Sequence, residues 1–277
     1  MTAATISRVR GAAGATGAAN EIALHTWGAP DAPVVLLAHS ILASSMMWER
    51  QGALLAQQGF RAIAMDTRGH GGSDAPVPPY SMDDLAADTV AVMDALKIER
   101  AHYIGLSLGG MSGFGLGISH GERLLSMVLC DARADAPAPF AAVWDDRIAA
   151  AREHGCQVLA TATAERWFGR DFMERNPDVA QRFLATIGAT SIAGFIGCAQ
   201  AIQGLDYLKD VQRIKVPVTL VVGSKDVPLP DAMIDIQSRI AGAKIEIIAD
   251  AGHLPNIDQP DAFDAALLRH FAQFAPR

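Results

Sequence analysis

A serine stands between two glycines at Ser107, in the stretch Gly105-Leu106-Ser107-Leu108-Gly109. Residues 101–104 before it predict a buried strand, and the Gly-rich residues after it predict a helix packed closely on a sheet. Such a strand-turn-helix elbow lifts a serine hydroxyl out of the backbone. Its glycines are required because a Cβ two residues to either side would collide with the neighbouring chain. The pattern predicts that Ser107 is a nucleophile.

A carboxylate and a base follow Ser107 in the chain. A serine hydroxyl is a poor nucleophile at neutral pH, so it needs a base within hydrogen-bond reach and a carboxylate that orients that base. Asp226 follows a strand predicted at 218–223, and His253 follows one predicted at 244–248. Ser, Asp and His in this order are typical of the α/β-hydrolase fold. The alternatives are a helix-capping turn residue for Asp226 and a backbone-bonded loop histidine for His253.

A second aspartate competes for the acid role. Asp131 follows the strand predicted at 124–130 and could reach the same histidine from the neighbouring strand end. We prefer Asp226 and keep Asp131 as the alternative acid. Loss of activity in Asp131→Asn, with Asp226→Asn still active, would reverse that choice.

Two backbone amides are predicted to stabilise an oxyanion. A single oxyanion donor is worth about 10²–10³ in rate, so the site needs such groups beside the nucleophile. We assign the first to the amide of Leu108 and the second to the amide of Ile41, which lies in the loop after the strand predicted at 34–38. His39 and Ser40 are expected to shape that loop through side-chain bonds to the backbone rather than to act in catalysis.

Several further motifs occur together in one known family. They are His39-Ser40 with Trp48 downstream, the run Asp66-Thr67-Arg68-Gly69-His70-Gly71-Gly72-Ser73-Asp74, Tyr80-Ser81-Met82-Asp83-Asp84-Leu85, the elbow extended to Gly110-Met111, and Gly252-His253-Leu254. Over residues 20 to 272 this set resembles the 3-oxoadipate enol-lactonase group of α/β-hydrolases. Leu42 departs from the glycine common in that group, Asp131 from asparagine and Phe195 from tyrosine.

The resemblance implies serine-dependent hydrolysis of a small carboxylic ester or lactone, most like ring opening of 3-oxoadipate enol-lactone in aromatic catabolism. No metal or organic cofactor is expected for such a reaction. Other small esters, C–C bond hydrolysis of ring-cleavage products, and a ligand receptor that keeps the triad remain open as alternatives. Halide or epoxide chemistry uses an aspartate at the elbow, so Ser107 argues against both.

A substrate that carries a carboxylate would need a cation in the pocket. Arg133, Arg147 and Arg166 are the candidates, although an arginine on an exposed helix face is often only solvated. Trp144 and Trp167 are expected either in the pocket wall or in the core of a cap.

The elements that must position these residues follow from alternating strand and helix patterns. The sequence predicts an α/β fold with an eight-stranded, mostly parallel sheet flanked by helices, whose first two strands are antiparallel. Between about 133 and 213 the strand signal vanishes and helical patterns remain. Residues 1–132 and 214–277 are therefore expected to form the α/β-hydrolase core, and residues 133–213 an inserted helical cap over the triad.

Composition limits the classes of partner. The formal net charge is −7 and no basic cluster is present, so no nucleic-acid partner is expected. No run of about 18 apolar residues occurs, and the first 20 residues lack the apolar core of a secretory signal, so we expect no membrane span and a cytoplasmic location. Three cysteines without metal-type spacing predict free buried thiols. The oligomeric state is not predicted.

Overall fold

One mixed sheet of eight strands forms the centre of the protein in a computed structural model, which describes residues 4–13 and 20–274. The strands are β1 (Thr5–Arg10), β2 (Glu21–Trp27), β3 (Val34–Ala38), β4 (Arg61–Met65), β5 (Ala101–Leu106), β6 (Leu124–Cys130), β7 (Val218–Gly223) and β8 (Lys244–Ile248). Their order in the sheet is β1-β2-β4-β3-β5-β6-β7-β8. β2 pairs antiparallel with β1 and β4, and the other pairs are parallel. The predicted α/β fold class is confirmed.

Helices cover the sheet and extend away from it between β6 and β7. They are α1 (Glu49–Gln57), α2 (Met82–Ala95), α3 (Leu108–Ser119), α4 (Ala138–His154), α5 (Ala160–Phe168), α6 (Arg170–Arg175), α7 (Pro177–Ala189), α8 (Ile192–Gln203), α9 (Leu229–Arg239), α10 (Pro255–Asp258) and α11 (Pro260–Phe271). Every residue of β3, β5 and β7 is buried, as expected for central parallel strands with helices on both faces. Their apolar runs therefore fix the centre of the fold.

The chain between β6 and β7 is helical, and we refer to it as the α4–α8 segment. Its two ends meet: Asp135 and Asp206 form an isolated antiparallel bridge, and the Tyr207 amide donates to the Ala134 carbonyl at 2.7 Å. The segment thus leaves the sheet and returns to it at one place. No single helix in the described part of the chain has the length and apolarity to cross a bilayer, although α7 and α8, bent by 93°, pass that test as a pair.

The three cysteines, Cys130, Cys156 and Cys198, are buried and free, as predicted.

Candidate active site

Ser107 occupies a strained turn between β5 and α3. Its φ is +55°, in the left-handed region that side chains other than glycine rarely adopt. A Cβ on Gly105 would lie 2.2 Å from the Gly109 carbonyl oxygen, and one on Gly109 would lie 2.3 Å from the Ala38 carbonyl oxygen. Both approaches are too close for any side chain, so the elbow requires glycine at these two positions, as the sequence pattern predicts.

A hydrogen-bonded chain joins the serine, the histidine and Asp226. The Oγ of Ser107 lies 2.9 Å from Nε2 of His253, and Nδ1 of His253 lies 2.6 Å from Oδ2 of Asp226. The three side chains come from the carboxyl ends of β5, β7 and β8, which lie at one edge of the sheet. With Asp226 ionised, Nδ1 of the neutral ring carries the proton, which leaves Nε2 free to accept the serine hydroxyl hydrogen.

The end of α5 contacts both the histidine and the aspartate. The His253 amide donates to the Trp167 carbonyl at 2.9 Å, and Nη1 of Arg166 lies 2.7 Å from Oδ1 of Asp226. The neighbouring Gly252 amide donates to Oδ2 of Asp258 at 2.6 Å. The α4–α8 segment therefore helps to hold the loop that presents His253.

The electrostatics of the two aspartates differ. Burial acts to raise the pKa of Asp226, but the charge and hydrogen bond of His253 and the Arg166 guanidinium outweigh it and lower that pKa to about 2. Burial, followed by the negative charge of Asp226, raises the pKa of Asp131 well above its usual range. Asp131 accepts a hydrogen bond from the Gly223 amide at 2.9 Å, whereas Asp226 is the carboxylate hydrogen-bonded to Nδ1 of His253.

The loop after β3 is folded by two buried histidines. Leu42 has φ +64° in a turn closed by a 3.0 Å bond from the Ala43 amide to the Ser40 carbonyl, which explains why glycine is the usual residue at such a position. The Leu42 amide donates to Nε2 of His70 at 3.0 Å. His39 donates from Nδ1 to the Ser40 carbonyl at 2.7 Å. Both rings thus shape the loop through the backbone.

His70 stays neutral in this environment. Burial, and after it the charge of His39, lowers the pKa of His70 to about 3. A neutral ring can accept from the Leu42 amide at Nε2 while Nδ1 donates to the Arg68 carbonyl at 3.2 Å. The ring is therefore locked in one tautomer at neutral pH.

Two amides beside the serine are free to donate. Within the described residues, neither the Ile41 amide nor the Leu108 amide, the first of α3, donates to a protein acceptor. The Gly109 amide donates to the His39 carbonyl at 3.1 Å, which ties the loop after β3 to the start of α3. The loop and the elbow are thereby held together next to Ser107.

A cavity of about 530 Å3 opens onto the serine, a size suited to a small organic ligand. Ser107, His253 and Ile41 line it on the side of the sheet. All four residues predicted to bind substrate also line it, and they are Arg133, Trp144, Arg147 and Trp167. Most other lining side chains are apolar, so the few charged groups in the wall are the groups that can select a polar substrate.

The three candidate arginines differ in their partners. Arg133 pairs with Asp135 at 3.1 Å, and Arg166 pairs with Asp226. Arg147 has no carboxylate partner in the described ranges: its Nη2 donates to Oγ1 of Thr163 at 2.9 Å, and its buried Nε has no acceptor.

Arg147 lies in an environment that favours an added anion. Its guanidinium lies 5.0 Å from the ring centre of Trp144. Burial, and after it the positive charge of Arg166, lowers the pKa of Arg147, although a guanidinium remains charged at neutral pH.

In the part of the chain that the structure describes, the side chains close enough together to share a metal ion belong to this same cluster. One atom each of Asp131, Asp226 and His253 lies within 4.8 Å of the others. Asp226 is already bonded to His253 at one oxygen and paired with Arg166 at the other. These donors are therefore committed to one another and to a guanidinium.

Two contacts described above were not predicted from the sequence: that of His70 with the Leu42 amide and that of Arg166 with Asp226. His70 was noted only as part of a shared motif, and Arg166 only as a candidate cation for substrate. Their partners, Leu42 and Asp226, lie 28 and 60 residues away along the chain, so local patterns carry no signal of either contact.

The sheet topology and the hydrogen-bonded serine, histidine and aspartate are typical of the α/β-hydrolase fold, and comparison with known proteins agrees on that fold. A family model described as the alpha/beta hydrolase fold matches residues 33–260. The chain belongs to the α/β-hydrolase family.

Relatives of known name include enol-lactonases and an esterase. The chain is 32% identical over 253 residues to 3-oxoadipate enol-lactonase 2 of Acinetobacter baylyi, which covers 90% of this chain and 93% of that protein. The enol-lactonase structure from Burkholderia xenovorans LB400 is 34% identical, with TM-score 0.88, and the match covers 95% of this chain and 99% of that one. A thermophilic esterase from Thermogutta terrifontis is 25% identical, with TM-score 0.90 and 98% and 100% coverage. The predicted resemblance to the enol-lactonase group is confirmed.

Proposed function

We propose that this protein hydrolyses a small carboxylic ester or lactone with Ser107 as nucleophile, His253 as general base and Asp226 as the acid that orients it. The observation that carries the proposal is the continuous hydrogen-bonded chain from Ser107 Oγ through His253 to Asp226, beside a cavity of substrate size. Acyl transfer to water needs this set of groups together with donors for the oxyanion.

The first half of the reaction acylates the serine. Ser107 Oγ attacks the substrate carbonyl while His253 Nε2 takes the hydroxyl proton, and Asp226 stabilises the resulting imidazolium. The developing oxyanion accepts from the amides of Ile41 and Leu108. His253 then gives its proton to the leaving oxygen. In a lactone that oxygen stays attached to the acyl group, so the ring opens.

Water completes the cycle. His253 removes a proton from a water molecule, which attacks the acyl-serine carbonyl, and the same two amides hold the second oxyanion. Collapse of that intermediate returns the proton to Ser107 and releases a carboxylic acid. The net reaction adds one water to one ester bond.

The proposed substrate carries a carboxylate. Arg147 presents a guanidinium that has no acidic partner among the described residues to an otherwise largely apolar cavity, and such a cation favours an anionic group on the substrate. The two curated relatives named 3-oxoadipate enol-lactonase, 32% and 31% identical, support a substrate of that kind. We therefore propose an acidic lactone, most like 3-oxoadipate enol-lactone in aromatic catabolism, as the substrate class.

Residues 133–213 are proposed to form a cap over this site, with 1–132 and 214–277 as the core. Arg133, Trp144, Arg147 and Trp167 in the cavity wall all come from this part of the chain, and the bridge between Asp135 and Asp206 lies close to its two junctions. A cap of this kind excludes water and shapes the substrate pocket.

The test is a panel of aryl acetates, simple lactones, the enol-lactone and a β-diketone, assayed with the wild-type protein and Ser107→Ala. We expect ester and lactone turnover to fall by about 10⁴-fold or more in Ser107→Ala, as for removal of a serine nucleophile. Ser112→Ala is the matched control: this serine is buried like Ser107 but lies within α3, and its Oγ donates to the Gly109 carbonyl at 3.2 Å. Turnover of the β-diketone alone would refute ester hydrolysis and indicate C–C bond cleavage.

A further inference from the structure

Two carboxyl groups lie close together near His253. Asp131 and Asp226 are both fully buried, and an oxygen of each lies within 4.8 Å of the other and of a His253 ring nitrogen. Two ionised carboxylates at this separation, away from water, repel each other strongly. One of the two therefore holds a proton at neutral pH.

The partners of the two groups indicate which one is protonated. Asp226 has a ring N–H of His253 at one oxygen and the Arg166 guanidinium at the other, and both favour its ionised form. Asp131 accepts at Oδ1 from the Gly223 amide. Its Oδ2 is buried and has no hydrogen-bond partner in the part of the chain that the structure describes. The proton is therefore placed on Oδ2 of Asp131.

Asp226 keeps room for one more donor. Arg166 approaches its Oδ1 as an ion pair that lacks hydrogen-bond geometry, and within the described residues this oxygen is otherwise unpartnered. A carboxylate oxygen has two acceptor sites, so a protonated neighbour can share it with the guanidinium.

We propose that Asp131 is a neutral carboxylic acid whose Oδ2–H donates to Oδ1 of Asp226, and that this bond fixes the orientation of the carboxylate that accepts from His253. The inference rests on the proposed function of the triad. Asp131 does not line the substrate cavity, so it acts through Asp226 as a positioning residue.

The charged and titratable groups around the pair are consistent with a neutral Asp131. His253 and Arg166, from the loop after β8 and from α5, face Asp226. Asp258, from α10, adds negative charge that disfavours ionisation of Asp131, and the Cys130 thiol beside it is itself kept neutral because burial raises its pKa. Ionising Asp131 would place a second negative charge next to Asp226.

The variants for a test follow from the backbone. Asp131 has φ +44°, which asparagine and glycine adopt with little strain. Asp131→Asn keeps an acceptor for the Gly223 amide and an N–H donor for Asp226, whereas Asp131→Gly removes both. Asp250→Asn is the matched control, since Asp250 also has a positive φ, +61°, but is exposed and pairs with Lys225.

Kinetics on one aryl ester give the first readout. We expect Asp131→Asn to keep kcat within about three-fold and Asp131→Gly to lose about ten-fold or more in kcat with little change in KM, as for loss of a bond to a charged group. The wild-type kcat should fall at alkaline pH where Asp131 ionises, and Asp131→Asn should lack that fall. An Asn variant as impaired as the Gly variant would overturn the proposal. Both variants lack a carboxylate at residue 131, so equal losses would mean that its negative charge, and not its hydrogen bond, supports activity.

Infrared spectroscopy gives a readout that does not depend on turnover. The difference spectrum between wild-type protein and Asp131→Asn at neutral pH should contain the carbonyl stretch of a protonated carboxylic acid, and Asp250→Asn should not remove that band. Its absence from the wild-type protein would overturn the proposal. If instead Ser107→Ala remained active while the band was present, the proposed function would fail and the carboxyl pair would stand.

Discussion

Arg166 lies with Nη1 2.7 Å from Oδ1 of Asp226, the carboxylate oxygen that does not contact His253. The same side chain lines the substrate cavity. Arg166, which the sequence indicates as a candidate cation for the substrate, is thus already paired with the proposed triad acid. This pairing separates its expected role from that of Arg147.

Replacement of Arg166 by leucine is expected to leave substrate selectivity unchanged. Because the guanidinium is committed to Asp226, the ratio of kcat/KM for an acidic lactone to that for a neutral aryl ester should stay within about two-fold of wild type. The free energy of unfolding should fall by about 1 kcal/mol or less, since Arg166 is half exposed and its ion pair is screened. Steady-state kinetics and thermal unfolding check both parts. A selective loss on the acidic lactone would assign Arg166 to the substrate instead.

Replacement of Arg147 by leucine should remove the preference for an acidic substrate. The Arg147 guanidinium is the group proposed to bind the substrate carboxylate, so KM for the enol-lactone should rise by about 10- to 100-fold, the value of a hydrogen bond to a charged group. KM for a neutral aryl ester should change little. Arg152→Leu, an exposed arginine of the same helix, is the control. Equal losses on both substrates would contradict a carboxylate-binding role.

The loop that carries Ile41 is expected to depend on His70. His70→Leu removes the acceptor of the Leu42 amide. Leu42 directly follows Ile41, so without this hydrogen bond the direction of the Ile41 amide is no longer fixed. Loss of one oxyanion donor costs about 10²–10³ in kcat, and partial misplacement should cost about ten-fold, with KM nearly unchanged. Stopped-flow measurement of the acylation step would locate the effect. The control is His154→Leu, at an exposed position of α4, which should behave like wild type. If His70→Leu raised KM and left kcat unchanged, that result would argue against the oxyanion assignment.

The stability of the protein should fall as the pH drops below about 6.5. Burial lowers the pKa of His270 from 6.5 to about 4, with smaller contributions from His102 and Lys244, so the folded state binds fewer protons than the unfolded state in this window. By linkage, stability then rises with pH between about 4 and 6.5, with a slope of up to about 1.4 kcal/mol per pH unit for one histidine. Urea unfolding across this range gives the slope directly.

A variant isolates the contribution of His270. Its two ring nitrogens lie 2.8 Å from the hydroxyls of Ser126 and Thr219, so His270→Asn should be less stable than wild type at pH 7. The free energy of unfolding of this variant should also depend less steeply on pH, because it lacks one buried histidine that resists protonation. An unchanged slope would mean that His270 does not titrate in the unfolding equilibrium.

The sequence predicts the three central side chains because each follows a strand within a few residues. The Ser107 elbow has a local steric signature, and the strands before Asp226 and His253 are short apolar runs with turn residues after them. Parallel strands then bring their carboxyl ends to one edge, so spacing along the chain is enough to expect the cluster.

Other features depend on contacts that no local pattern encodes. A 3-10 turn at Ser45–Trp48 precedes α1. The left-handed turn at Leu42 is stabilised by His70 from a distant loop, so a leucine there could not be interpreted from its neighbours.

Arg166 and Trp167 are successive residues, and together they join the wall of the cavity to Asp226 and His253, the proposed acid and base. A substitution of Arg166 would disturb the proposed triad through Asp226, while one at Trp144 or Arg147 on α4 would alter the cavity wall alone. Over evolutionary time, selection for new substrates in descendants of this chain is therefore expected to act mainly through α4. The end of α5 should be inherited nearly unchanged.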